Sequence, residues 1–303
     1  MSEIITVIAQ LSAFTFIITS MLAMGLSLTV KQIVDPLKNT RVVLLALLAN
    51  FVLVPALAFL ITVVIPLDDG LATGLIIVGA AAGAPFLPKL VQVAKGNAAF
   101  SVGLMTLLMV VTVVYLPIML PLLLPGASVS SWDIAKSLIT TMLLPLGIGL
   151  FIKARYEETA ASLQPHMSQI SSLAIVLMLV TILVLQFSAI VGTIGTGGIL
   201  AALIFLVGAL AIGLLLGGGA DPGKRSVMGL GTAQRNLAAA MLVAAQNFSN
   251  DANVLVMVML VAILGLILLM VVGGEMGKRS QAQASQAAPA AAGAGGDAGT
   301  PAQ

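Results

Sequence analysis

The chain lacks most of what a soluble protein is made from. Only 8% of its 303 residues are charged and 4% are aromatic, against 60% hydrophobic, whereas soluble domains carry roughly a quarter charged residues. Cysteine is absent altogether, which excludes disulfides, thiolate metal sites and thiol chemistry. The single histidine, His166, lies in a polar link after Pro165 and reads as a surface residue. There is no Walker-type phosphate loop, no cluster of zinc ligands and no serine with a partnered base, so catalysis is not expected and the chain is not read as an enzyme. The net charge of +2 is mild and argues against a nucleic-acid partner.

What is present is apolar sequence in long runs. A helix needs about 20 apolar residues to cross ~30 Å of hydrocarbon, and such runs fall at roughly 4–29, 41–66, 70–95, 97–124, 134–152, 167–192, 197–219, 226–249 and 252–273. They are too long and too uniformly apolar for barrel strands. The expectation is an all-α polytopic membrane protein of nine transmembrane helices, surrounded by lipid. The start, MSEII, has no basic n-region and no small-residue cleavage pattern, so the first apolar run is expected to stay. Residues 280–303 are rich in Ala, Gly, Gln and Pro and read as a disordered cytoplasmic tail after a membrane domain of 1–279.

Charge placement orients the bundle. Lys31, Lys38, Arg41, Lys95, Lys153, Arg155, Lys224, Arg225, Lys278 and Arg279 fall in every second connection or the tail, which the positive-inside rule places in the cytoplasm. Asp68, Asp69, Asp133 and Asp251 occupy the opposite connections, with Lys136 as the exception, and Trp132 there reads equally as an interfacial anchor or a bare loop residue. The N-terminus is therefore expected outside and the C-terminus inside, in a bacterial-type inner membrane. Two of the thirteen basic residues remain, Lys89 and Arg235, and both lie inside apolar segments. All eleven acids lie outside those segments. The spanning region thus has cations of its own and no carboxylate.

Both cations follow an interruption. Gly83, Pro85 and Pro88 break the third segment, because proline removes a backbone donor and glycine costs about 1 kcal/mol relative to alanine within a helix. Gly229, Gly231, Thr232, Gln234, Arg235 and Asn236 break the eighth. Each broken segment leads through a short link, Gly96-Asn97 or Ser249-Asn250, into one more long apolar helix. Residues 4–124 and 167–273 then read as inverted repeats joined by a helix at 134–152. Paired interruptions of this kind point to a transporter's binding site near the bilayer midplane.

The residues at the breaks resemble the bile acid:sodium symporter family. The resemblance rests on Lys95-Gly96-Asn97 followed by Ser101, on Gln234 with Asn236, on Met24-Gly25-Leu26, and on Asn50-Phe51 ahead of Pro55. It covers residues 5–275 and implies a panel of helices beside a core with two crossing discontinuous helices, alternating access, and organic-anion substrates often coupled to sodium. It also exposes departures. Leu87-Pro88, Met105 and Leu230 stand where the family places a Ser-Asn pair, a Thr and a Glu around sodium. Of the oxygen donors, Ser101, Asn50 and Gln234 remain as a residual metal set.

The reading is therefore a secondary active transporter of a small organic anion, with sodium coupling altered or lost and no other cofactor implied. Arg235, Lys89, Gln234, Asn236 and Thr232 are the expected substrate-binding residues, the two cations supplying positive charge at the crossover. Arg235 lies ten residues beyond Arg225, about 15 Å into the bilayer, where snorkelling is difficult; Lys89 lies about 9 Å from Lys95 and is close enough to reach the interface. Gln92 and Gln186 are expected in interhelical hydrogen bonds. A conventional sodium symporter and a non-transporting sensor or scaffold are the alternatives. The expected topology is testable in this cysteine-free background: Ser131→Cys should react with an impermeant maleimide from outside intact cells, and Ser280→Cys only after permeabilisation.

Overall fold

The computed structural model describes residues 2–34, 38–124 and 131–293, and these are helical with short connections. Among the described residues, six helical stretches are long and apolar enough to cross a membrane: Ile4–Ser27, Thr40–Val64, Ala98–Leu123, Ser131–Arg155, Gly198–Leu216 and Ala252–Ala282. Large apolar side chains such as Leu11, Val63, Leu122, Leu173 and Leu215 stand exposed on the outer surface of the bundle. Water would penalise that surface and hydrocarbon does not.

In chain order, α1 is Ser2–Ser27 and α2 the short Val30–Val34. The second segment is α3 (Thr40–Leu48) and α4 (Val54–Val64), joined by a wider turn over Ala49–Leu53. The third segment is two pieces, α5 (Asp69–Ala80) and α6 (Leu87–Val93), and α7 spans Ala98–Leu123. The fifth is α8 (Ser131–Leu138) and α9 (Leu144–Arg155), followed by α10 (Glu157–Gly192) and α11 (Gly198–Leu216). The eighth is again divided, into α12 (Pro222–Ala233) and α13 (Leu237–Asn247), and α14 runs over Ala252–Gly293.

Two of the nine apolar segments are divided in the structure. The breaks leave pieces of 12 and 7 residues in one segment and 12 and 11 in the other, each shorter than a span. The segment at 167–192 forms the later part of α10, whose helix starts ten residues earlier; the link holding His166 is thus helical, and the imidazole Nδ1 lies 2.9 Å from the Ser162 carbonyl. At the junction with α9, Lys153 donates to Glu157 at 2.8 Å and holds that carboxyl below the usual carboxylate range. At the C-terminus the helix continues past 279 to Gly293, and residues 294–303 of the expected tail lie outside the described residues.

Helices sort into two packed groups. In one, α1 lies along α9 and α10; in the other, α5 packs on α14 and α4, and α11 on α12, α4 and α14, with α6, α7 and α13 among them. Contacts of α7 with α2 and α8, and of α14 with α10, join the groups.

Close crossings explain the glycines. A Cβ on Gly149 would stand 2.6 Å from the Leu22 carbonyl and 2.8 Å from the Gly25 Cα, and one on Gly25 would meet the α9 backbone in return. These glycines let α1 and α9 approach backbone to backbone, the usual device where lipid removes the hydrophobic drive for helix association. Gly213 similarly admits Met228 and Thr232 of α12 against α11, whereas Gly147 faces open space. Gly149→Val should therefore destabilise the protein by about 1–3 kcal/mol, the range for overpacking, lowering its thermal midpoint in detergent, while Gly147→Val should leave the midpoint nearly unchanged.

Candidate functional site

The two interruptions meet. After α5 the chain runs extended from Ala81, with Gly83 at φ +80 and set against the Met109 backbone of α7, so that neither the conformation nor the space admits a side chain. Thr112 of α7 holds this strip by both backbone groups: its hydroxyl donates to the Ala82 carbonyl at 2.9 Å and accepts from the Ala82 N–H at 3.0 Å. The second break spans Gln234 to Asn236, and the Asn236 N–H donates to the Ala81 carbonyl at 3.0 Å. Asn236 also caps α13, its Oδ1 accepting from Ala239 at 3.1 Å. Backbone groups freed at one break are thus satisfied partly by the other, as a low-dielectric interior requires.

Arg235 sits at the junction, 2% exposed. Its Nε donates to the Val78 carbonyl at 3.2 Å and one terminal nitrogen to the Gly79 carbonyl at 2.7 Å. The other terminal nitrogen donates to Asn50 Oδ1 at 2.7 Å and to the Thr232 carbonyl at 3.1 Å. Val78 and Gly79 end α5 and Thr232 ends α12, so three acceptors are last-turn carbonyls of half-helices, where the helix dipole concentrates partial negative charge. A buried guanidinium is compensated here without any acid.

Asn50 reaches the junction because of the wide turn between α3 and α4. The Val54 N–H bonds to the Ala49 carbonyl five residues back, a π turn of the sort found at functional positions. Pro55 lacks an N–H, which leaves the Phe51 carbonyl free, and the Tyr115 hydroxyl takes it at 2.7 Å. The Asn50 side-chain nitrogen is anchored to the Ala46 carbonyl at 3.0 Å and to the Thr232 hydroxyl at 3.3 Å. Its oxygen is thereby turned toward the guanidinium.

The structure brings Arg235, Thr232 and Asn50 into one network, with Gln234 and Asn236 buried beside it. Gln234 Oε1 and Asn236 Nδ2 are buried without a partner, and Gln234 and Arg235 line a cavity of about 10 Å³ with Leu206, Leu237 and Gly265. Lys89 is not part of this network. Its side chain is exposed on α6 with no hydrogen bond or ion pair among the described residues, so the expected pair of cations at the crossover reduces to Arg235. Ser101 is buried, but its hydroxyl donates to the Ala98 carbonyl within α7 and no bond joins it to Asn50. Gln92 is exposed and makes no interhelical bond among the described residues, and the side chain of Gln186 lies outside those described.

The positions where the resemblance expects oxygen donors are hydrocarbon. Leu87, Met105 and Leu230 are each no more than 1% exposed, and Leu87 and Leu104 close on the face of Gly231. Features that sequence reasoning missed are the Val78 and Gly79 carbonyls, which no side-chain pattern announces, and a larger cavity of about 460 Å³ lined by Leu28, Thr29, Lys31, Gln32, Ala98, Ala99 and Val102. That cavity lies where the end of α1 and α2 face the start of α7, between the two helix groups.

An all-helical polytopic membrane protein with two interrupted helices meeting break to break is the class these features define. The sequence model of the sodium bile acid symporter family matches residues 14–193, and the chain belongs to that family. The match contains the first break and ends before the second. Among curated relatives, a chloroplast protein of Oryza sativa subsp. japonica named as a probable sodium/metabolite cotransporter, BASS2, is 30% identical over 150 residues, 48% of this chain and 36% of its own. An uncharacterized sodium-dependent transporter, YocS, of Bacillus subtilis is 27% identical over 52% of this chain and 49% of its own. A chloroplast protein of Arabidopsis thaliana named as a probable sodium/metabolite cotransporter, BASS1, is 25% identical over 76% of this chain and 58% of its own. The chain therefore spans between about a third and three-fifths of the relatives' lengths.

The geometry makes Asn50 the side-chain anchor of the buried charge. Asn50→Leu should destabilise the protein by about 1.5–3 kcal/mol, the usual worth of a hydrogen bond to a charged group, and Asn50→Asp should recover most of the loss in thermal unfolding.

Proposed function

We propose that this chain is a secondary transporter of a small organic anion, working by alternating access in a bacterial-type inner membrane, with sodium coupling altered or lost. The observation that carries the reading is the positive charge of Arg235, held by neutral oxygens and paired with no acid, at the meeting point of two half-helix pairs. Family membership supports transport as the activity, and the relatives' names speak for a metabolite as cargo. The nine-segment topology with inverted repeats, cytoplasmic basic loops and a cytoplasmic tail belongs to the same proposal.

Arg235 acts on the substrate through its field. Four of its five N–H groups are engaged by the protein, so it attracts an anion into the region without offering the whole fork to it. Asn236 Nδ2 is free to donate to a carboxylate and Gln234 Oε1 to accept from a hydroxyl substituent, and the Thr232 carbonyl positions the guanidinium. The cavity beside Lys31, between the two helix groups, is the entry on the side of the basic loops, and its size suits a small organic ligand. Lys89, exposed on α6, contributes to the positive rim of that side.

A conventional sodium symporter is the second reading, favoured by relatives named as sodium-dependent. It requires sodium to be held by Ser101, Asn50 and Gln234 with backbone carbonyls, a set in which Asn50 already serves Arg235.

An anion about 8 Å from the guanidinium at an effective dielectric near 20 gains about 2 kcal/mol. Arg235→Gln should therefore weaken binding by about 30-fold in a thermal-shift titration of small carboxylates and steroidal acids. Unchanged affinity across that screen would remove Arg235 from the substrate's field.

A further inference from the structure

The oxygens around Arg235 decide what can drive transport. Three half-helix carbonyls and the Asn50 oxygen form the kind of set that binds a coupling cation in secondary transporters, where unwound backbone and half-helix C-termini hold the ion. Here each acceptor stands 2.7–3.2 Å beyond a guanidinium nitrogen. The set is spread around a planar ion, whereas a bare hard cation of similar size to calcium wants oxygens at about 2.3–2.6 Å from its centre. The remaining expected donors do not gather elsewhere: Ser101 is bonded within α7, and Leu87, Met105 and Leu230 line apolar packing.

We propose that Arg235 is a covalently tethered substitute for the coupling cation, and that the protein consequently serves as an exit route for monovalent organic anions, driven outward by the membrane potential. The inference rests on the anion-transport reading above and adds to it the driving force and the direction. A tethered charge returns with the protein in every cycle. The net charge moved is the substrate's alone, one negative charge per turnover. With the basic loops on the negative side, as topology places them, that charge runs outward down the field. A carrier that takes two sodium ions with each monovalent anion moves net positive charge inward with its cargo, so the two mechanisms produce currents of opposite sign for the same direction of substrate movement.

The test uses the full chain in proteoliposomes, with radiolabelled pyruvate and taurocholate as probes in sodium-free choline buffer. Exchange of labelled for unlabelled probe at zero potential establishes transport itself. Net flux is then measured under a 100 mV inside-negative potassium diffusion potential. The proposal predicts probe loss from the interior toward a ratio of about 50-fold, equivalent to the ~2.3 kcal/mol that 100 mV exerts on one charge, unaltered by an inward sodium gradient. Inward accumulation that requires sodium, with exchange intact, overturns the proposal and leaves anion transport standing. Absence of exchange for both probes with and without sodium overturns the transport reading on which it rests. In Arg235→Ala, recovery of exchange by millimolar guanidinium chloride supports an ion cage of guanidinium size; recovery by sodium alone to the same level overturns it.

Discussion

A charged side chain in the interior of a membrane protein must be compensated by something, and in this one the compensation comes from backbone. Burying an ion in hydrocarbon costs several kcal/mol even on the most lenient scales. The Arg235 guanidinium meets that cost with two carbonyls from the end of α5, one from the end of α12 and a single amide side chain. Removing any of these leaves the others facing an unsatisfied charge. The half-helix ends exist only because both helices are interrupted, so the breaks and the arginine require one another.

Much of the surrounding architecture follows from that requirement. Two interrupted helices expose backbone that lipid cannot satisfy, and the protein supplies partners at each point: Thr112 for Ala82, Asn236 for Ala81, Tyr115 for the carbonyl that Pro55 leaves free at Phe51. Gly83 allows the unwound strip to lie against α7, and the π turn at Ala49–Leu53 brings Asn50 inward. The α1, α9 and α10 group is built on small-residue crossings such as Gly25 with Gly149, and a second π turn, over Ile139–Leu143, leads into α9 ahead of Pro145.

The long helices were legible because spanning length is a one-dimensional property, and the boundaries of α1, α7, α11 and the stretch from the start of α3 to the end of α4 fall within a few residues of the apolar runs. The breaks were legible from Gly83, Pro85, Pro88 and the polar run 232–236. The surroundings of Arg235 were legible only in part. Its charge and depth marked it, but its acceptors are main-chain oxygens, which every residue possesses and no pattern singles out. Lys89 misled for the opposite reason: its position along the segment matched Arg235, while the azimuth that exposes it depends on how α6 turns after Phe86. Gln92 failed in the same way. The residual sodium set was implied by the resemblance, which could not show that Asn50 is bonded to Arg235.

Family membership and the local chemistry pull in different directions on coupling. Relatives carry sodium in their names, while this chain has leucine and methionine where the resemblance implies the ion's oxygens, and bonds Asn50 to Arg235. The most direct measurement is equilibrium binding of radioactive sodium to the purified protein by scintillation proximity. The account predicts no saturable sodium binding in the wild-type chain at physiological salt. Saturable binding of one or more sodium ions per chain would contradict it.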